Sequence, residues 1–578
     1  MKDYLEQKVI ESVKNAFDIA LEIVLIEHPD NKIHGDFSTN VALTLTKKLN
    51  QSPMDIAKKL CYELHSFDME FEFLEDKYPI FESIECSSPG FINFKLSDNW
   101  LKNLPYQVSN NPTSYGSSDT GDQKIVLIEY SQPNPNKPLH IGHSRNNFLG
   151  SSLANIFEFL NYDVVKANYM NDWGTHICKS MLMYKMHFEN QKPDRKPDHF
   201  VGMLYVKYTQ EEEKDPELKE KVTELFRSLE AGEEETIDLW KKITGWVYEG
   251  WKETYANEGA EFDVWFYQSD YKESGKKVVQ KAINDGIAEK DETGAVIARL
   301  EKLGLPDKVL LRSDGTSVYA TQDIDMARDG FEKYKFDKRL YVVDYRQSDY
   351  FKQLFEIAKA LGYEWADRLH HVSYGTVSLP EGEMSSRKGL VMDADEVFEK
   401  LTKLEEEEVE SDLPDVGEII RKVAIGAYRY GMLRVDPKQN VVFDYNLATK
   451  FEGNTGPYLM YTYARAKSVL EKAGFTQEMF NDYSPIDVPL EEREKDVLRI
   501  MYQFQEVVEE AGERFAPNLI ANFTFELAQS FNSFYASVPV LGTEDEDQKM
   551  FRLHLVWASA QVLQNALGLL GIRTVDKM

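Results

Sequence analysis

From residue 124 onward, short apolar runs alternate with amphipathic helical patterns, and this alternation constrains the fold more than any other feature. A run at 125–128 comes before a helical stretch at 148–160, and a run at 341–343 comes before a helical stretch at 350–361. A third run follows at 372–379. Continuous apolar strands alternating with helices are typical of a parallel sheet buried on both faces. We therefore predict an α/β domain with a Rossmann-like parallel sheet.

The 578 residues are enough for three or four domains, at roughly 150 residues per domain. Residues 1–115 read as a small α+β domain whose first helix sets Leu5, Val9, Val13 and Phe17 four apart. A linker rich in turn formers at 110–118 ends it. We assign the sheet domain to 119–395, with a charged helical insertion at about 191–261, and a helical bundle to 396–578.

Composition narrows the class of protein. Hydrophobic residues make up 42% of the chain and aromatic residues 12%, which excludes an intrinsically disordered protein. The formal charge of -31 disfavours a protein that coats nucleic acid through bulk charge, although a local basic groove remains compatible with it. Acidic runs at 233–235 and 405–408 are most simply solvated helix faces.

The three cysteines, Cys61, Cys86 and Cys178, are widely spaced in the sequence. This spacing predicts neither a disulfide framework nor a Cys-x-x-Cys zinc site, and it favours a reducing compartment. The opening residues do not resemble a signal peptide, and we find no apolar run long enough for a bilayer. We expect a cytoplasmic protein that does not bind a membrane.

The strongest chemical signal is the turn after the first predicted strand, at 129–143. Three prolines stiffen it, and it leads from a strand end into a helix N-terminus, where free backbone N–H groups favour an anion. His140 and His143 are three apart, so both imidazoles can face one phosphate, and Lys137 and Gly142 lie beside them. The alternative is that two histidines cap a helix by chance.

A second candidate loop, at 381–389, follows the third apolar run. Gly382 and Gly389 bracket two hydroxyl groups and two cations. A mobile loop of this content can close on a triphosphate and stabilise its charge in a transition state. The simpler interpretation is an exposed basic loop.

These motifs resemble those of a known family. Residues 140–143 match letter for letter the first signature of class I aminoacyl-tRNA synthetases, and 384–389 resemble the second, in the form used by arginyl-tRNA synthetases. The resemblance to arginyl-tRNA synthetases extends over essentially the whole chain through 35–40, 91–94, 171–174, 453–458 and 569–572.

The resemblance implies that ATP activates L-arginine and that the arginyl group then passes to the terminal adenosine of its tRNA. It implies Mg²⁺ bound with the nucleotide. We also expect no protein-bound zinc or other metal site, and a monomer. The implied catalytic residues are His140, His143, Lys137 and Arg387, and the implied ATP-binding residues are His140, Gly142, His143, Met384, Ser385, Ser386, Arg387 and Lys388. The implied arginine contacts are Glu129, Asn134, Tyr319, Asp323 and Gln347, and the implied tRNA contacts are Phe91, Asn93, Tyr458 and Met578.

Two positions depart from the common pattern of this family. Tyr350 stands where a histidine is usual, and Ser386 replaces the second lysine of the general class I signature. Two alternatives stay open at this point. One is a nucleotidyltransferase that makes a small-molecule cofactor, and the other is a synthetase-derived protein that binds RNA without catalysis.

Overall fold

The structure is a computed structural model that describes residues 1–29, 31–73, 76–271, 275–313, 318–380, 392–482 and 488–578. The chain forms two compact units. The first consists of Met1–Tyr115, Arg465–Phe504 and Glu526–Leu563, and the second of Gly116–Ala464, Gln505–Phe525 and Gln564–Met578. The domain boundaries at 115, 119, 395 and 396 stay a prediction.

The N-terminal part of the first unit is a small α+β arrangement, as predicted. Its helices are α1 (Lys2–Phe17), α2 (Val41–Leu49), α3 (Pro53–His65), α4 (Asp98–Lys102) and α5 (Leu104–Asn110). Its strands are β1 (Phe37–Thr39), β2 (Glu70–Phe73), β3 (Asp76–Pro79), β4 (Phe81–Ser87) and β5 (Phe91–Leu96). The antiparallel sheet has the order β1-β5-β4, and β2 pairs with β3. Leu5, Val9 and Val13 of α1 are fully buried, which confirms the predicted apolar face.

The cysteine spacing was misleading in one respect. The structure joins Cys61 of α3 to Cys86 of β4 in a disulfide, although they are 25 residues apart in sequence. Helix α3 packs against β4, and this packing brings the two side chains together. Cys178 is a free, buried cysteine.

The second unit contains the predicted parallel sheet. Its strands are β6 (Ile125–Glu129), β7 (Asp163–Met170), β8 (Val264–Tyr267), β12 (Lys338–Asp344) and β13 (Leu369–Tyr374), in the order β13-β12-β6-β7-β8. Every neighbouring pair in it is parallel. From β6 the chain first builds β7 and β8 on one side and later β12 and β13 on the other. The carboxyl ends of β6 and β12 therefore flank the topological switch point, where doubly wound sheets bind ligands.

Helices connect these strands. They are α6 (Ile141–Phe159), α7 (Thr175–Met183), α8 (Pro197–Glu212), α9 (Leu218–Glu230), α10 (Glu234–Glu258), α11 (Gln268–Tyr271), α12 (Gly275–Asn284), α13 (Tyr319–Tyr334) and α14 (Ser348–Ala360). Helices α8, α9 and α10 form the predicted helical insertion between β7 and β8. A small antiparallel sheet was not predicted; it consists of β9 (Ala288–Lys290), β10 (Val296–Ala298) and β11 (Lys308–Leu311).

The apolar run at 372–379 is not one strand, as predicted, but two. Strand β13 ends at Tyr374, and a short β14 (Val377–Ser378) pairs instead with β15 (Val441–Val442). The fully buried guanidinium of Arg145 accounts for the break, because it donates hydrogen bonds to the carbonyls of Gly375 and Thr376, at 2.7 and 3.2 Å, and to those of Pro437 and Gln439.

The remaining helices make the C-terminal half largely helical, as predicted. They are α15 (Ala394–Glu405), α16 (Val416–Leu433), α17 (Tyr445–Ala448), α18 (Gly456–Ala473), α19 (Glu492–Met501), α20 (Phe504–Glu513), α21 (Asn518–Ser537) and α22 (Glu546–Leu569). In the described part of the chain, no helix has the length and apolar character needed to cross a bilayer.

One residue of the acidic run at 405–408 is not solvated. Glu405 is fully buried, whereas the three glutamates after it are exposed. Val397, Leu401 and Glu405 are four apart on α15 and continue one buried stripe, where α15 packs against α16. Burial raises the pKa of Glu405 to about 8.

Candidate active site

The first part of the site is the turn that leads from β6 into α6, which we call the histidine turn (residues 137–143). His140 is the N-cap of α6 and donates its backbone N–H to Nδ1 of His143, at 3.1 Å. The two imidazole rings stack with centroids 3.7 Å apart. A Cβ at Gly142 would lie 3.1 Å from two atoms of the His140 ring, so glycine leaves room for this ring.

Electrostatics make both histidines neutral hydrogen-bonding groups. Burial, together with the nearby Lys137, lowers the pKa of His140 to about 3, and the pKa of His143 is also well below its usual value. Because Nδ1 of His143 accepts a hydrogen bond, its proton sits on Nε2, which is left as a donor. Burial also lowers the pKa of Lys137. The turn therefore concentrates N–H donors and one ammonium group within a small volume.

The second part of the site is an acidic pocket beside the switch point. Glu129 ends β6 and is 3% exposed, and Asp323 lies one turn into α13. Burial raises the pKa of Asp323 to about 7, and the negative charge of Glu129 adds to this effect. Two carboxyl groups that interact in this way attract a cation with several N–H donors.

Each carboxyl group already has a partner from the protein. The buried guanidinium of Arg339, on β12, donates to Oε2 of Glu129 at 2.6 Å. Gln132 donates to its other oxygen at 3.1 Å. Tyr350, on α14, donates its hydroxyl hydrogen to Oδ2 of Asp323. Arg339 and Tyr350 therefore hold the two carboxylates in fixed orientations.

The structure brings most of the predicted arginine contacts to this edge of the sheet. Tyr319 is the first residue of α13, one turn before Asp323, and its side chain is 49% exposed. Asn134 accepts a hydrogen bond from Asn171 at 2.8 Å, and Gln347 is exposed at the end of a short 3₁₀ turn that follows β12. The predicted helical spacing of Tyr319 and Asp323 is confirmed.

Sequence reasoning missed several residues of this pocket. The pKa of Tyr169 is raised well above its usual value by burial and by the charges of Asp323 and Glu129, so its hydroxyl lies near the same two carboxyl groups. Tyr169 lies near the end of β7, and Arg339 lies in the apolar surroundings of β12. Arg339 comes two residues before the predicted apolar run at 341–343, and the observed strand β12 extends back to include it. A charged residue that directly precedes a buried run was the only signal in the sequence, because such a residue needs a partner when it is buried.

The remaining predicted residues lie elsewhere or outside the described residues. Met384, Ser385, Ser386, Arg387 and Lys388 belong to the second loop and are not among the described residues. In the first unit, Asn93 is 8% exposed, accepts a hydrogen bond from Ser38 and donates one to Ser87, while Phe91 is partly exposed.

Two predicted tRNA contacts lie in the second unit. Tyr458 lies in the first turn of α18, with its ring 5.9 Å from that of Phe525. Met578 ends the chain, two residues after Asp576, which accepts a hydrogen bond from Tyr463 at 3.2 Å. Both residues are partly exposed.

Comparison with known proteins finds family matches in three consecutive parts of the chain. Residues 107–445 match the family "tRNA synthetases class I (R), catalytic domain". Residues 3–96 match "Arginyl tRNA synthetase N terminal domain", and residues 459–578 match "DALR anticodon binding domain". The two flanking matches remove the alternative of a small-molecule nucleotidyltransferase, which needs neither domain.

Individual relatives show the same similarity. The chain is 38% identical to the arginine–tRNA ligase of Treponema denticola, over 99% of both chains. It is 36% identical to that of Bacteroides thetaiotaomicron, over 99% of this chain and 100% of the other. The solved arginyl-tRNA synthetase of Thermus thermophilus superposes with a TM-score of 0.84 at 27% identity, covering 100% of both chains. The chain therefore belongs to the arginyl-tRNA synthetase family of class I.

Proposed function

We propose that the protein is an arginine–tRNA ligase. It couples the carboxylate of L-arginine to the α-phosphate of ATP, which releases pyrophosphate, and then transfers the arginyl group to the terminal adenosine of its tRNA, which releases AMP. One observation carries the proposal. Glu129 of the acidic pocket ends β6, and the histidine turn lies in the segment that connects β6 to α6, so a cationic amino acid and a triphosphate can meet at this end of the strand.

The acidic pocket binds the arginine side chain. The planar guanidinium needs acceptors at fixed angles, and the carboxylates of Glu129 and Asp323 supply them. We assign the remaining contacts to Asn134, Tyr319 and Gln347. Lysine is rejected because its ammonium group cannot bridge two carboxylates with a planar fork.

The histidine turn binds the phosphates of ATP. The Nε2–H of His143, the imidazole of His140 and the ammonium group of Lys137 stabilise the charge that develops on the α-phosphate, and Gly142 lets the nucleotide approach. The second loop completes the site with Arg387 as a catalytic cation, and Met384, Ser385, Ser386 and Lys388 as further ATP contacts. Mg²⁺ enters with ATP, and we assign the protein no zinc.

The two flanking regions bind the tRNA. We assign the anticodon to the C-terminal helices, with contacts at Tyr458 and Met578, and the outer corner of the tRNA to the N-terminal unit. There Phe91 is partly exposed, and Asn93 is hydrogen-bonded to Ser38 and Ser87. We expect the enzyme to act as a cytoplasmic monomer.

ATP–pyrophosphate exchange, screened over the standard amino acids with and without total tRNA, tests the function. Among the amino acids, we expect only arginine to support exchange, and we expect this exchange only when tRNA is present. Asp323→Asn should cost about 2 to 4 kcal/mol of transition-state stabilisation, because one partner of a buried charged pair is lost. Asp329→Asn is the matched control, since Asp329 lies on the same helix and also accepts a tyrosine hydroxyl, from Tyr271 at 2.7 Å.

Three results would refute these assignments. Exchange with another amino acid would refute the substrate, and full exchange without RNA would refute the dependence on tRNA. tRNA binding without any ATP consumption would mean that the chain binds RNA without catalysis.

A further inference from the structure

Asp395, just after the second loop, receives hydrogen bonds from three side chains of the helical insertion. Nζ of Lys196 lies 2.5 Å from its Oδ2, and Nε2 of His199 lies 3.0 Å from the same oxygen. The hydroxyl of Thr254, on α10, donates to Oδ1 at 2.9 Å, and Thr254 is only 2% exposed. The insertion therefore binds both oxygens of this carboxylate.

The backbone next to Asp395 is bound in turn to the histidine turn. The N–H of Ile141 donates to the carbonyl of Met392 at 3.1 Å, and the N–H of Ala394 donates to the carbonyl of Leu139 at 3.0 Å. These bonds flank a β-bridge between His140 and Asp393. A displacement of Asp395 would therefore be transmitted to the backbone that carries His140.

The insertion also contacts the histidine turn directly. The indole N–H of Trp251, on α10, donates to the carbonyl of Lys137 at 3.2 Å. A Cβ at Gly202, on α8, would lie 2.6 Å from Cδ of Pro138, so α8 packs tightly against the turn. Helices α8 and α10 thus contact the histidine turn directly. Asp395 accepts hydrogen bonds from both helices, and the backbone beside it is bonded to the same turn.

A metal ion is the competing explanation of this cluster. Donor atoms of Asp198, His199 and Asp395 lie within 4.8 Å of one another. The ammonium group of Lys196 already lies among them, 2.5 Å from Asp395 and 3.6 Å from Oδ2 of Asp198. Burial alone would raise the pKa of Asp395, but hydrogen bonds from His199 and Lys196 lower it to about 2. The lysine therefore supplies the positive charge that a metal ion would supply.

We propose that Asp395 is a positioning residue, which fixes the histidine turn against the helical insertion so that Lys137 and His140 keep their geometry toward the phosphates of ATP. The inference rests on the proposed function, because it assigns a role in the same reaction. A misplacement of about 1 Å in a reacting group can cost about 100-fold in rate.

The variant Asp395→Asn tests this role, with Glu211→Gln as the control. Glu211 lies on the same helix as His199 and also forms ion pairs with a lysine and a histidine, Lys207 and His187. For Asp395→Asn we expect kcat of arginine-dependent ATP–pyrophosphate exchange to fall at least about tenfold, while KM for arginine changes less than about twofold. Asp395→Glu, which keeps the carboxylate, should retain most of the activity, and Glu211→Gln should equal the wild type.

A milder variant guards against misfolding, and a second measurement does not depend on activity. Thr254→Val removes the hydrogen bond to Asp395 and the one that Thr254 accepts from Lys196 at 2.6 Å, with little change of shape and with the Asp395 carboxylate kept, so it should lower kcat in the same direction but less. Hydrogen exchange followed by mass spectrometry should show faster exchange over residues 137–143 in Asp395→Asn, and unchanged exchange there in Glu211→Gln.

The outcomes separate the two proposals. A wild type that does not activate arginine refutes the proposed function. The hydrogen-exchange result then still decides whether Asp395 holds the histidine turn. If the wild type activates arginine, a normal kcat in Asp395→Asn refutes only the positioning role. Unchanged hydrogen exchange over residues 137–143 in Asp395→Asn would have the same meaning. A divalent ion bound stoichiometrically to the purified wild type and lost in Asp395→Asn would also overturn it, in favour of a metal site.

Discussion

The titration of Asp323 leads to a quantitative prediction for arginine binding. Burial and the nearby Glu129 raise the pKa of Asp323 to about 7 in the free enzyme. The guanidinium of arginine carries its charge throughout the neutral range, so it binds the ionised form of this carboxyl group. Arginine binding therefore requires the loss of a proton from Asp323 whenever the pH lies below about 7.

The magnitude follows from the ionised fraction. A group with a pKa of about 7 is about 91% ionised at pH 8 and about 9% ionised at pH 6. The Kd for arginine should therefore rise about tenfold from pH 8 to pH 6, which equals about 1.4 kcal/mol. The histidine turn does not interfere, because the pKa of His140 is about 3 and that of His143 is also well below its usual value.

Isothermal titration calorimetry measures both the Kd for arginine and the number of protons released on binding. At pH 7, titrations in buffers of different ionisation enthalpy should show release of about half a proton for each arginine bound. Asp323→Asn should bind arginine weakly at every pH and release no proton.

Tyr350→Phe removes a hydrogen bond that lowers the pKa of Asp323. In this variant the midpoint of the pH dependence of the Kd for arginine should therefore move to higher pH. Tyr271→Phe, the matched control at Asp329, should leave the profile unchanged. A Kd that is constant between pH 6 and pH 8, with no proton release, would refute this reasoning.

Three further predictions concern residues outside the acidic pocket. Lys137→Ala should lower the single-turnover rate of adenylate formation at least about 100-fold, or about 2.7 kcal/mol, while the affinity for arginine stays unchanged. A loss of rate below about threefold would mean that Lys137 is an ordinary surface lysine. Arg145→Lys should lower the free energy of unfolding, measured in urea, by about 2 to 4 kcal/mol, because one ammonium group cannot reach the four carbonyls that the guanidinium binds. A decrease below about 0.5 kcal/mol would contradict this explanation. Glu405 has a higher pKa in the folded state, about 8, than in the unfolded state, about 4.3, so its contribution to stability declines as the pH rises between these values. Glu405→Gln should therefore stabilise the protein by on the order of 3 to 4 kcal/mol more at pH 8 than at pH 5, and an equal effect at both pH values in urea unfolding would exclude this explanation.

Local patterns in the sequence were enough to predict the main elements of secondary structure. The spacing of four in Leu5, Val9 and Val13 predicted α1, because that spacing puts all three on one helical face. The apolar runs at 125–128 and 341–343 predicted β6 and β12, and the turn at 129–143 predicted a helix N-terminus after β6. Phosphate binding at this turn stays a prediction. Each of these inferences uses residues close together in the chain, where backbone geometry alone fixes which side chains are neighbours.

Contacts between distant parts of the chain were decided by the tertiary structure. Arg339 meets Glu129 across 210 residues, because β12 lies beside β6 in the parallel sheet. Cys61 meets Cys86 only because α3 packs against β4.

The same distinction separates what the sequence determined about the active site from what it left open. Its motifs identified the histidine turn and the family from residues that are contiguous in the chain. The partners that orient the site, such as Asp395 beside Lys196 and Tyr350 beside Asp323, come from separate elements. A hydrogen bond depends on distance and angle between two atoms, and only the packing of the elements fixes these for residues far apart in sequence.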